Sequence, residues 1–110
     1  MLIVDVNEVK AHEITNLKVL FSENATAGGT VQFGTVVLRP QARIPLNGMG
    51  VHVQDEYSII IKGSVVTGVG GSTYRLKKGQ ATLIPAGEAH WSFNEGKEDC
   101  EIVWALVGRS

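Results

Sequence analysis

The chain has 110 residues, 44% of them hydrophobic, with 10 Lys and Arg against 11 Asp and Glu. That is enough for one domain with one core and too little for two. An apolar run of about 18 residues is absent, which excludes a helical membrane span. With no basic cluster there is no basis for nucleic-acid binding, whose affinity comes mostly from phosphate neutralisation.

The N-terminus, Met1-Leu2-Ile3-Val4-Asp5, has no basic start and no small-residue cleavage site, so it does not read as a signal peptide. The single cysteine, Cys100, forbids an internal disulfide. Both observations predict a cytoplasmic protein. The sequon Asn24-Ala25-Thr26 therefore carries no weight.

Asp5 to Ile14 is the one weak helix candidate and has no sustained apolar stripe. It is expected to be a short helix or turn. Residues 1 to about 25 form a lead-in that packs on or extends the core. Short apolar runs follow: Leu17 to Phe21, Thr30 to Arg39, Val51 to Ile61, Ser64 to Val69 and Ser72 to Leu76. The last three are Gln80 to Ile84, Ala89 to Asn94 and Cys100 to Val107. The chain has thirteen glycines against three prolines, with a glycine in nearly every intervening turn. Strands at this spacing predict an all-β sandwich or barrel.

In an extended segment, side chains alternate between faces. Gly50, His52, Gln54, Glu56 and Ser58 then share one face, opposite Val51, Val53, Tyr57, Ile59 and Ile61. Around the third histidine of the pattern, His90 shares a face with Ser92 and Asn94, opposite Trp91 and Phe93. His52, Glu56 and His90 converging inside a barrel would form a two-His-one-carboxylate set. Such a set suits one divalent transition ion (Fe, Mn, Ni, Co or Zn) and leaves positions open for substrate. The competing reading is a metal-free hydrogen-bonded network. Gln54 and Tyr57 are the nearest polar candidates for ligand binding, and Trp104 is a candidate to line the cavity. His12 has no partner in sequence and reads as a surface residue. Cys100 reads as a packed small hydrophobe.

Gly79, Pro85, Gly87, His90 and Asn94 stand at the spacing Gly-x5-Pro-x-Gly-x2-His-x3-Asn. This segment resembles the second motif of the cupins at every fixed position. The His52-x3-Glu56-x6-Gly63 segment resembles the second half of their first motif, and the first histidine of that motif falls on Gly50. The resemblance covers roughly residues 30 to 107. It implies a double-stranded β-helix (jelly-roll) barrel forming the whole chain, 1–110, as one domain. It also implies a metal held by three His and one Glu, of which this chain keeps His52, Glu56 and His90. A homodimer is implied as well, in agreement with strands such as Cys100 to Val107 that are apolar on both faces. Two functions stay open. One is a metal-dependent enzyme of dioxygenase, isomerase, decarboxylase or lyase type, acting on a small polar metabolite. The other is a non-catalytic module that binds or senses a small ligand.

Overall fold

A computed structural model describes residues 1–109. Its strands in chain order are β1 (Leu17–Phe21), β2 (Val31–Leu38), β3 (Arg43–Ile44), β4 (Asp55–Lys62), β5 (Ser64–Val69), β6 (Ser72–Lys77), β7 (Ala81–Ile84), β8 (His90–Phe93) and β9 (Cys100–Val107). The segment Asp5 to Ile14 holds a single 3-10 turn, Val6–Glu8, whose cap Asp5 accepts the Asn7 N–H at 2.9 Å. Without an apolar stripe to bury, nothing extends that turn into a helix. No helix among the described residues is long and apolar enough to cross a membrane.

All strand pairs are antiparallel, in two sheets of order β1-β2-β9-β4-β7 and β3-β8-β5-β6. The sheets face one another across an apolar interior, as in a jelly-roll sandwich. The closed barrel expected from sequence is not what the backbone pairing describes: the ladders run within two separate sheets. The N-terminal lead-in extends the larger sheet: its run Leu17–Phe21 is β1, which pairs with β2 at the edge.

Alternation sets the core. In β9, Cys100, Ile102 and Trp104 are buried, and in β2 so are Gly34, Val36 and Leu38. Apart from Gly34, these residues form one cluster with Ile60 and Val65. Each large apolar side chain there contributes about 1.5–3 kcal/mol by leaving water. Gly34 is required by contact rather than by its backbone. A Cβ at that position would lie 2.5 Å from Trp104 Cζ2, so the indole lies against bare backbone. The β5–β6 hairpin turns on Gly70 and Gly71, whose φ angles of 58° and 83° suit the mirror-image turn that matches strand twist.

One end of the sandwich is plugged by Asn94, which is fully buried. Its Nδ2 donates to the carbonyls of Leu38 (2.7 Å) and Glu98 (2.8 Å), and its Oδ1 accepts the Gly96 N–H at 2.9 Å. Cys100 lies in the same region, and burial pushes its thiol up to about 11. It is a packing residue, not a nucleophile.

The strand expected over Val51 to Ile61 begins only at Asp55. Gly50 forms an isolated bridge with His90, with both backbone bonds made (2.8 and 2.9 Å), and the His52 carbonyl accepts the Gly87 N–H at 2.8 Å. These bonds tie residues 50 to 52 to the start of β8 and the loop before it, and the chain bends at Val53–Gln54 before joining β4. The two-residue strand β3 has no counterpart in the sequence reading.

Candidate metal centre and cavity

Between the sheets lies a cavity of about 260 Å³ whose walls come from both. Cross-strand register divides its five-stranded wall into tiers. Glu56, Leu106 and Gln32 lie side by side at the rim. One step deeper are Ser58, Trp104 and Gly34, and then Ile60, Ile102 and Val36. The opposite wall repeats the order, with His90 at the rim, Ser92 and Thr67 below it, and Val65 and Leu76 at the floor. Successive tiers are about 7 Å apart, two residues along a strand.

The rim carries the ionisable groups. One ligand atom each from His52, Glu56 and His90 lies within 4.8 Å of the others. The Glu56 carboxylate is 3.6 Å from His52 Nε2 and 3.7 Å from His90 Nε2. Donors placed about 2.1 Å from an ion at tetrahedral or octahedral angles lie roughly 3.0–3.5 Å apart, so a small side-chain adjustment closes the set. Of the three, His90 is buried and the other two are partly exposed.

The histidine orientations matter more than their proximity. His90 Nδ1 lies 2.9 Å from the Glu88 carbonyl oxygen. A carbonyl can only accept, so Nδ1 carries the proton and Nε2 turns its lone pair toward Glu56 and His52. Carbonyl-anchored imidazoles of this kind are the usual outer support of a metal ligand. Glu56 raises the His90 pKa by favouring its charged form, while burial opposes and the Glu88 carbonyl assists. The donor types, their separations and the Nδ1 anchor, which leaves Nε2 of the neutral ring for an ion, all fit a divalent ion.

The tier below the rim is polar but self-paired. Ser58 Oγ lies 2.6 Å from Thr82 Oγ1, and Thr67 Oγ1 lies 2.8 Å from Ser92 Oγ. Each pair uses one hydroxyl hydrogen internally and keeps one to offer. Sequence parity had put Ser58 with Glu56 and Ser92 with His90. Their partners, 24 and 25 residues away, and the anchoring carbonyl of Glu88 were missed. The alternation of Thr82 with Ile84, and of Thr67 with the apolar residues beside it, is the signal that held them.

The structure separates the three residues read as ligand-binding. Trp104 is buried on the cavity wall. Gln54 falls in the bend and lies outside the lining. Tyr57 belongs to the outer face of the large sheet, where Phe33, Ala105, Tyr57 and Leu83 are successive cross-strand neighbours. Asp55, beside them, is held low by its hydrogen bonds from Arg109 and then from the Ala86 N–H. His12 is exposed, and its Nδ1 lies 3.3 Å from the Ile14 and Thr15 N–H groups in a local turn.

Known proteins share this fold. The structure of a predicted oxalate decarboxylase from Thermotoga maritima superposes with a TM-score of 0.86 at 22% identity, covering 98% of this chain and 100% of that one. The polyketide cyclase RemF from Streptomyces resistomycificus gives 0.81 at 19% identity, covering 99% and 80%. The cupin domain of Cnp3 from Schizosaccharomyces pombe gives 0.81 at 20%, covering 96% and 72%. At such identities these likenesses speak for the fold alone. No curated protein matches the chain. The sequence pattern of the Cupin domain family matches residues 34–106, two thirds of the chain and every strand from most of β2 to most of β9, so the chain belongs to the cupins.

Proposed function

We propose that the chain is a small cytoplasmic cupin enzyme that holds one divalent transition ion through His52, Glu56 and His90. The ion would act as a Lewis acid toward a small oxygen-bearing metabolite lodged in the cavity. The observation that carries this reading is the anchoring of His90: its Nδ1 lies 2.9 Å from the Glu88 carbonyl, so in the neutral ring Nε2 is the nitrogen left to face the other two donors. The residues have separate tasks. The Glu88 carbonyl holds the imidazole in place, and Glu56 supplies the compensating charge. The apolar floor excludes water, and the two hydroxyl pairs orient whatever oxygen reaches the second tier.

Elemental analysis of untagged protein purified without chelator tests the reading. The expected result is about one transition ion per chain. Failure to retain or load any divalent ion with a dissociation constant below about 1 μM removes its basis. His52→Ala and Glu56→Ala should each abolish retention. The second reading is a metal-free binding module. In its favour, Glu56 sits between two imidazoles and pairs with protonated His90 without an ion.

A homodimer is part of the proposal. Phe33, Tyr57, Ile59 and Leu83 leave 38–53% of their surface exposed on the outer face of the large sheet, a continuous apolar patch suited to a second copy. Sedimentation should give twice the chain mass, and Ile59→Glu should give the monomer.

A further inference from the structure

We propose that the cavity selects a small, largely apolar monoanion that grips the ion through two oxygens at once, with Gly50 as the residue that leaves room for that grip. The inference rests on the metal reading above and names the class of ligand for it.

Three features converge. The first is the empty flank at Gly50. Its Cβ position would lie 3.9 Å from His90 Nε2 and 3.8 Å from the His90 carbonyl, ordinary contact distances. Gly50 is not among the residues with positive φ, so its backbone does not call for glycine. A side chain fits there and would point at the donor cluster, yet none is present. The ion types suited to this set take four to six donors, and three come from the chain, so one to three positions remain on the cavity side.

The second feature is charge. Among the described residues, Glu56 is the only one of the cavity lining with a formal charge when the histidines are neutral. A divalent ion on Glu56 therefore leaves one net positive charge above an apolar floor. The rim is partly open to water, but the floor side of the cavity offers no charge, so an anion on that side is drawn to the ion. A monoanion neutralises it; a neutral ligand does not, and a dianion overshoots.

The third is size and lining. A volume of about 260 Å³ matches roughly nine waters at ~30 Å³ each, hence a ligand of about that many non-hydrogen atoms. The third oxygen of the ligand's head, the one not on the ion, accepts the free hydroxyl hydrogens of the Ser–Thr pairs, and the chain meets the aliphatic floor of Val36, Ile60, Val65 and Ile102. A 2-oxo- or 2-hydroxycarboxylate with a short alkyl chain meets all three requirements.

Cobalt(II)-loaded protein, titrated by calorimetry and visible absorption, decides the matter. The probes are 2-oxopentanoate and pentanoate, which share charge and chain length and differ by one chelating oxygen. The oxo acid is expected to bind at least about tenfold tighter and to change the cobalt spectrum. Gly50→His should bind cobalt at least as well, with the preference reduced to about threefold or less. Equal affinities on cobalt-loaded protein overturn the inference and leave the metal reading standing. The same preference in metal-free protein also overturns it. A histidine variant that folds and keeps the full preference removes the role of Gly50; if that variant does not fold, the wild-type comparison alone decides. Failure of the protein to bind cobalt at all withdraws both proposals.

Discussion

The two ends of the sandwich treat buried polar groups in opposite ways. At the plugged end, Asn94 has no exposed surface, and its amide donates to two carbonyls and accepts one N–H. At the open end, Glu56 faces two imidazoles at 3.6 and 3.7 Å, beyond good hydrogen-bond range. A polar group with every bond made is part of the scaffold. A partly exposed carboxylate held near partners that do not saturate it keeps acceptor capacity to spare, which is what the proposed ion would use.

Asn94→Ala should have the largest effect. It leaves the buried Leu38 carbonyl, the part-buried Glu98 carbonyl and the Gly96 N–H without their protein partner. A destabilisation of about 3 kcal/mol or more is expected in urea unfolding. The folded fraction should keep its metal affinity, because nothing at the rim touches residue 94. A loss of metal binding equal to that of a rim variant would erase the distinction between the two ends.

Glu56→Gln is the mirror experiment. It keeps the shape of the side chain and removes the charge that an ion requires. Metal affinity should fall by about 100-fold or more, beyond the 10–100-fold typical of lost outer-shell support. Metal-free stability at pH 8 should move by less than about 1 kcal/mol, since no strong bond is broken. Unfolding of this variant in the absence of metal would mean that Glu56 is structural.

The rim should also show an inverted response to pH. Glu56 raises the His90 pKa above its ordinary value of 6.5. In metal-free protein that pair is fully stabilising below pH 6.5, and its contribution is lost as pH rises through the elevated folded value. The metal-loaded protein should run the other way, because an ion needs His90 neutral, so affinity falls as pH drops through the same window. Thermal melts from pH 5 to 8, with and without ion, should diverge as pH rises. Parallel curves would detach the metal from His90.

How much of this was legible in the sequence depends on the regularity of the backbone. In β8 the alternation is unbroken, and His90 and Ser92 face the cavity as parity requires. The spacing from His52 to Glu56 also survives, although the strand between them does not. The bend at Val53–Gln54 takes Gln54 out of the lining while leaving the residues on either side in place. Asp55, drawn to the Ala86 N–H and to Arg109, holds the far side of that bend. No local pattern announces a bend made by partners more than 30 residues away. Strand β3 escaped for a related reason: two residues cannot display a period. Cross-strand hydroxyl pairs such as Ser58 with Thr82 need the register, which only the folded sheets supply.

Trp104 tests the contrast between the two ends at its weakest point, and its effect should be the smallest. Its ring is buried against Gly34 on the cavity wall, but Nε1 is buried with no hydrogen-bond partner among the described residues. Trp→Ala at such a site costs about 3–5 kcal/mol through the cavity left behind. Trp104→Phe keeps most of the apolar contact and deletes the unpaired donor, whose burial costs about 1–3 kcal/mol. The two terms oppose, so the variant should lie within about 1 kcal/mol of the parent in urea unfolding of metal-free protein. A loss above about 3 kcal/mol would mean that the N–H is in fact satisfied. Its acceptor would then lie in the cavity, because the strand neighbours Gly34 and Ser58 do not provide one. Trp104 would in that case belong with the groups that read the ligand, and the boundary between scaffold and site would run one tier deeper than the rim.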